Sequence, residues 1–395
     1  MQPQIDEKQA CRSVLTTCLA ALFGFMGIGV VDPILPEIAK QIGATHWQVE
    51  MLFTTYIFMM AFVMIPSGIL DTRFGSKPVM VTGLSLVTLF ALACSLSDTV
   101  GQLALLRAGW GFGNAMFFAT SMSILIGLSS NLEQGMGYYE ASLGMGLSMG
   151  PLLGGLLGHF SWRLPFVGTG ILVLLAAILT AMLVKEPPVR QRKRAGLKDF
   201  AKTLRERPFF LSAFSAMLYY YAFFTVLAYS PLLLKLDAIQ LGLIFFGWGA
   251  CLGIGSTKVA HRLVKRHSSL WLTQRGMLWM AVVLILIAII PISAVQTAVI
   301  ILSGFVCGLN NTAFSSLTID VSKAQRSIVS GAYNFIRWLG AGIAPVAAGF
   351  SSTIFPTAPY LIATVLIAVG AAILYGNQPS IQRMLDHQQK DAAAS

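Results

Sequence analysis

Runs of about 20 consecutive apolar residues recur along the whole of this chain, and no other feature restricts its fold so strongly. An α-helix rises about 1.5 Å per residue, so about 20 residues cross the roughly 30 Å hydrocarbon core of a bilayer. Within that core each backbone N–H and C=O needs an internal partner, which admits only helices and closed barrels. Twelve runs are readable, at about 14–38, 48–70, 78–97, 100–127, 135–158, 164–184, 209–234, 239–260, 271–291, 296–319, 328–354 and 357–376. Their length predicts an all-α membrane protein. The composition agrees, with 56% hydrophobic and 11% charged residues, where a soluble domain carries about 25% charged. The first run is too long for a signal peptide and ends in Asp32 and Glu37 without a clean cleavage site, so it is read as the first helix. The short gaps between runs leave no place for an ATPase or a receptor module.

The net charge of +11 raises the possibility of nucleic acid, but its distribution argues against that partner. With the N-terminus placed in the cytoplasm, 22 of the 27 Lys and Arg residues fall on the cytoplasmic side. Lys40, Arg163 and Lys235 fall outside, and Arg107 and Arg337 lie within runs. This is the positive-inside pattern, and it predicts a multi-pass protein of a bacterial cytoplasmic (inner) membrane with both termini cytoplasmic. The five cysteines have neither metal-ligand nor disulfide spacing, so no metal and no cofactor is expected.

The segment "KEPPVRQRKRAGLKDFAKTLRERP" divides the runs into two groups of six. The expected organisation is a bundle over 1–184, a basic linker over 185–208, a second bundle over 209–376 and a cytoplasmic tail over 377–395. Leu197, Phe200 and Leu204 are at helical spacing in the linker, as in a helix lying on the membrane face; a solvated tether is the other reading. Displacing the chain by 194 residues brings "GYYEASLGMGLSMGPLLGG" onto "GAYNFIRWLGAGIAPVAAG", aligning Gly146 with Gly340 and Pro151 with Pro345. Offsets of 195 and 196 align Pro36 with Pro231 and Asn114 with Asn310. A nearly constant offset across several helices is an internal repeat. Two parallel six-helix repeats joined by a long inner loop suit an alternating-access transporter with its substrate site between them.

These residues also resemble the major facilitator superfamily, in particular its twelve-helix drug/proton antiporters. "GILDTRFGSKP" is similar to motif A of the family at Gly68, Leu70, Arg73, Gly75 and Lys77, although Thr72 stands at the usual aspartate and Asp71 comes one residue early. "RAGWGFGNA" is similar to motif B through Arg107, Gly111 and Gly113, and "GMGLSMGPLLGG" to the antiporter motif C. "YEASLG" is similar to a branch that includes multidrug and siderophore exporters. The resemblance covers the whole chain and implies twelve transmembrane helices in two pseudo-symmetric bundles. It implies a monomer that exports a small organic compound in exchange for protons.

Each motif has a physical reading. Gly146, Gly150, Gly154 and Gly158 share one helix face, where small side chains let a neighbour approach closely; Gly155 lies beside them, and Pro151 removes a backbone hydrogen bond. The second repeat keeps Gly340, Ala344, Pro345 and Ala348, so this face is expected to act as a hinge. Arg73 and Lys77, with Asp71, are expected to bridge the cytoplasmic ends of helices as a gate. The alternatives, ordinary packing for the glycines and a topology signal for the basic residues, stay open.

A carboxyl among apolar residues must be paired, hydrated or protonated. Asp32 and Glu140 are the candidate proton carriers, with Asp71 behind them, and the resemblance implies that Arg107 releases the proton when it approaches the acid. Interfacial placement is the alternative for both acids, and snorkelling to the outer interface for Arg107. "MLYYYAFF", "AMFFA" and "NNTAF" lie in helices that the resemblance places around the central cavity. They offer Asn114, Phe117, Tyr220, Phe224, Asn310 and Asn311 as a largely aromatic substrate wall, suited to flat lipophilic compounds. Arg337, if it faces that cavity, favours an acidic or zwitterionic substrate. Drug export is therefore the first expectation and export of a siderophore or other metabolite the second. An intramembrane enzyme or a sensor is disfavoured: the histidines lie near helix ends or in loops, and no signalling domain is attached.

Overall fold

The computed structural model describes residues 6–129, 132–187, 197–264, 266–322, 324 and 326–394, among which there are helices and turns but no strand. Pro33 and Pro36 lack the N–H groups that would continue the first helix, so α1 (Glu7–Gly29) gives way to a 3-10 turn at Asp32–Ile34 before α2 (Leu35–Ile42). Gly43 ends α2 in the left-handed conformation at φ 68°. A capping box between Thr45 and Gln48 starts α3 (His46–Phe74). Gly75, at φ 90°, turns the chain into α4 (Ser76–Cys94). The Thr99 side chain accepts from the Gln102 N–H at 3.2 Å and so caps α5 (Val100–Leu128). Two more helices follow, α6 (Leu132–Gly158) and α7 (Leu164–Leu183).

After the linker come α8 (Leu197–Arg205) and α9 (Arg207–Phe224). A π-turn at Thr225–Tyr229 joins α9 to α10 (Ser230–Leu234), which carries Pro231. A second π-turn at Gly255–Val259 joins α11 (Ala238–Ile254) to α12 (Ala260–Val264). The chain ends with α13 (Ser269–Ile289), α14 (Ser293–Asp320), α15 (Arg326–Ser351), α16 (Ala358–Gly376) and α17 (Gln378–Ala394).

Ten helical segments are long and apolar enough to cross a membrane. The other two expected crossings fall on α11, an apolar helix of 17 residues continued by the π-turn and α12, and on α15, 26 residues long with Arg337 inside it. The Leu197 side chain lies outside the described residues, whereas Phe200 of α8 sets its ring against Phe335 of α15 with centroids 5.9 Å apart.

Two compact units form, Met1–Arg194 with Lys235–Gly249, and Ala195–Leu234 with Ala250–Ser395. In the first, the α6 glycines lie against α1: a Cβ on Gly146 would meet Phe25, one on Gly150 would meet the Met26 backbone, and one on Gly154 would meet Val30. The neighbouring face of α6 receives residues 238–249, where Gly155 meets Ala238 and Gly242. In the second unit α15 approaches α9 the same way, Gly340 facing the Met217 carbonyl, with Ala344 and Ala348 fully buried. The sequence repeat thus reappears as a repeated helix contact.

Candidate functional site

Asp32 and Arg107 are both fully buried, and both belong to the first unit. Asp32 follows α1 because the two prolines stop the helix there. Its Oδ2 lies beside Gly29, and the Pro151 ring of α6 approaches the same glycine. Arg107, in the second turn of α5, donates from Nη1 to the Gly27 carbonyl at 3.1 Å and from Nε to the Leu52 carbonyl at 3.4 Å. Its guanidinium lies 4.3 Å from the Tyr56 ring centroid and 4.8 Å from that of Trp110. One arginine therefore ties α5 to both α1 and α3. It is held inside the bundle, not turned toward an outer interface.

The same region holds a carboxyl that the sequence reading passed over. Glu50, in the second turn of α3, is 0% exposed. Neither oxygen of Glu50 or of Asp32 accepts a hydrogen bond among the described residues. The charges acting on Asp32 are those of Arg107 and Glu50. Glu50 was visible as an acid within the run at 48–70, but its nearness to a helix start gives the appearance of an ordinary first-turn acid. The Glu140 side chain lies outside the described residues; its backbone is in α6.

Asp71 is buried and takes hydrogen bonds from Ser76 Oγ of α4 at 2.5 Å and Ser123 Oγ of α5 at 2.9 Å. It joins three helix ends through serines. Arg73 and Gly68 are exposed and Lys77 is half-buried, and neither cation forms an ion pair among the described residues. The partner at this corner is Glu186, also missed in the sequence. Its carboxylate accepts from the Ser76 and Lys77 N–H groups at 2.6 and 2.8 Å, capping α4 beside Gly75. An acid more than 100 residues away supplies this cap, which a local pattern does not reveal.

The expected substrate wall divides between the two units. In the first, Asn114 is buried and its Nδ2 donates to the Tyr56 hydroxyl, while Phe117 is buried against Gly24. In the second, Asn310 donates to the Gly276 carbonyl at 3.0 Å, and Asn311 accepts from the Tyr219 hydroxyl at 3.0 Å. The structure thus places both repeat-related asparagines between helices of their own unit. Tyr220, Phe224 and Trp338 cluster together, with Trp338 6.1 Å from Tyr220 and 5.8 Å from Phe224. Arg337 is 6% exposed, lies over the rings of Tyr220, Tyr333 and Trp338 at 4.9–5.6 Å, and donates from Nη1 to the Tyr220 hydroxyl at 2.8 Å. Among the described residues no group of His, Cys, Asp and Glu side chains could hold a metal.

Comparison with known proteins agrees with this geometry. The family model described as Major Facilitator Superfamily matches residues 17–345. The chain is 38% identical over 370 residues to the multidrug efflux protein YfmO of Bacillus subtilis, covering 92% of each chain. It is 30% identical over 165 residues to the quinolone resistance protein NorA of Staphylococcus aureus, covering 41% of this chain and 42% of NorA. The fold is similar to that of a bacterial homologue of the human lysosomal transporter Spinster, with a TM-score of 0.79 at 16% identity, covering 95% of this chain and 97% of that one. It is also similar to the human organic anion transporter MFSD10, with a TM-score of 0.74 at 17% identity, covering 94% and 100%. The chain belongs to the Major Facilitator Superfamily of membrane transporters.

Proposed function

We propose that this transporter exports lipophilic organic compounds from the cytoplasm in exchange for protons, acting as a monomer with no cofactor beyond the coupling proton. The observation that supports proton coupling is the fully buried Asp32 carboxyl within the electrostatic influence of the equally buried Arg107, with no ion pair between them among the described residues. A carboxyl so placed is tolerated as an anion only while the arginine compensates it, and as a neutral acid otherwise. Movement of α1 against α5 therefore changes the proton affinity of Asp32. The α6 glycines and Pro151 adjoin the same part of α1, so hinge motion and proton binding share one contact. Glu140 remains a proposed second carrier on α6.

The names of the relatives favour drugs over siderophores as cargo. The aromatic cluster of Tyr220, Phe224 and Trp338 supports flat apolar compounds, and Arg337 supports an additional acidic group on them. The Arg73 and Lys77 corner, held together by Asp71 and Glu186, serves as the cytoplasmic gate of the first unit.

Proteoliposomes with a fluorescent lipophilic drug and an imposed pH gradient test this reading. The wild type should accumulate drug against its gradient only while the pH gradient lasts. Asp32→Asn should abolish accumulation but keep downhill exchange, because one proton moved through 100 mV supplies about 2.3 kcal/mol only if a group carries it. Accumulation by Asp32→Asn equal to that of the wild type excludes Asp32 as the carrier. The charge distribution supports cytoplasmic termini. Arg190→Cys and Lys390→Cys should then resist impermeant thiol reagents in intact cells, and labelling of either from outside overturns the proposed topology.

A further inference from the structure

Glu50 is the feature that the proposed coupling mechanism leaves unused. It is a fully buried glutamate whose two oxygens, like those of Asp32, receive no hydrogen bond among the described residues. Arg107 has already committed Nη1 to Gly27 and Nε to Leu52, so Nη2 is its one nitrogen without a partner among the described residues. Asp32 acts electrostatically on both Arg107 and Glu50, and so links the second acid to an arginine with one uncommitted nitrogen. Besides Asp32, the titratable groups acting on Arg107 are Tyr56 of α3 and Cys94 of α4, and neither supplies a positive charge; α2, packed on α3, carries the exposed Lys40 and the half-buried Glu37. From the sequence, α7 contributes no charged residue, and the acids of α6, Glu133 and Glu140, precede its contact with Asp32 by about ten residues or more.

Two electrostatically coupled buried carboxylates, with one arginine acting on the first of them, carry an excess negative charge when both are ionised. Such a pair is stable when one carboxyl holds a proton. The burial of both acids adds to this constraint, since an isolated buried anion bears a large desolvation cost. The backbone anchors of Arg107 on α1 and α3 lie near the two acids: Gly27 precedes Asp32 by five residues, and Leu52 follows Glu50 by two. A shift of α1 relative to α3 therefore alters the spacing between the two carboxyls and between Asp32 and the guanidinium.

We infer that Glu50 is a second proton-carrying residue of the coupling site, sharing one transported proton with Asp32, whose anion Arg107 compensates. This inference rests on the proton-coupled reading above. The transfer balances simply: the O–H bond on one carboxyl breaks as an O–H bond forms on the other, and Arg107 compensates the Asp32 anion while the proton rests on Glu50. No other co-reactant is needed. The two acids act as a unit, so their losses should not multiply.

The test compares wild type, Glu50→Gln, Asp32→Asn, the double variant and Glu50→Asp in proteoliposomes, reading pH-driven drug accumulation and the pH profile of downhill exchange. Glu50→Gln should lower accumulation at least tenfold and flatten the pH profile. The double variant should be no worse than the more impaired single variant, and Glu50→Asp should restore accumulation with a displaced pH midpoint. Infrared difference spectra on a pH jump should show a buried protonated-carboxyl band that Glu50→Gln loses. A purely structural role for Glu50 would leave the pH profile and that band unchanged. If Glu50→Gln fails to insert, Glu50→Asp decides: a displaced midpoint supports the inference and an unchanged one overturns it. A wild-type protein indifferent to the pH gradient refutes the proposed function itself. A coupled wild type with a Glu50→Gln of unchanged pH profile refutes only the role of Glu50.

Discussion

Arg107 and Arg337 are both buried inside long helices, and both lie over aromatic rings, yet their electrostatic settings differ. Arg107, in the first unit, acts on Asp32, which in turn acts on the buried Glu50. Arg337, in the second, is surrounded by Tyr220, Tyr333 and Trp338, and the only acids between 207 and 376 are Asp237 and Asp320, both exposed. The repeat duplicated the helix contacts, with Gly146 of α6 against α1 matched by Gly340 of α15 against α9, but not the ionisable groups. An acid pair under the influence of a fixed cation can take up and release a proton. A cation set among aromatic rings can attract an anionic group brought from outside. The contrast suggests that the halves divide the labour, one handling protons and the other recognising substrate.

The largest expected effect comes from removing the first arginine. Arg107→Ala takes away the cation that acts on the buried Asp32 and two interhelical hydrogen bonds. Breaking such a buried arrangement costs about 3 kcal/mol, so accumulation driven by a pH gradient should fall at least ~100-fold by the usual tenfold per ~1.4 kcal/mol. Arg337→Ala should leave that coupling in place. Equal loss of coupling in the two variants, measured in the same liposomes, breaks the proposed division between the units.

A smaller effect is expected at the repeated glycine contact. Gly150→Leu forces a branched side chain onto the Met26 backbone, and Gly340→Leu does the same onto Met217. Overpacking of this kind costs about 2 kcal/mol, roughly 30-fold if it falls on the moving step. Both variants should slow drug export. Only Gly150→Leu should also alter its pH dependence, because Pro151 and Asp32 both adjoin Gly29. An identical pH response in the two would separate the hinge from the proton site.

The parts legible from sequence were those set by local chemistry. Apolar run length gave the helices and the glycine spacing gave the close face of α6, whereas the break at Asp32 fell inside a run read as one helix over 14–38. The parts that escaped were contacts between distant segments. Glu186 caps α4 from the far end of the first unit, and Glu50 becomes significant only once Arg107 and Asp32 are brought beside it. Asn114 and Asn310 were expected at a substrate wall because the resemblance places their helices around a central cavity. Their hydrogen bonds to Tyr56 and Gly276 also join helices, a contact that depends on which neighbour each helix acquires.

The smallest expected effect, and the sharpest for the second unit, concerns selectivity. Arg337 is held by the Tyr220 hydroxyl at 2.8 Å and by three ring faces, so its charge and its planar stacking are separable. Arg337→Gln removes the charge, and Arg337→Lys keeps it while losing the planar fork. If the arginine attracts an anionic group, Arg337→Gln should shift the ratio of carboxylate-bearing to cationic drug export about tenfold, or ~1.4 kcal/mol. Arg337→Lys should then retain most of the preference. If the arginine serves instead to organise the aromatic cluster, both variants should lose transport of all compounds alike, since Tyr220 and Trp338 would lose the same support. Export measured on a zwitterionic drug and on its ester separates these outcomes, because the ester removes the anionic group while nearly keeping the ring system.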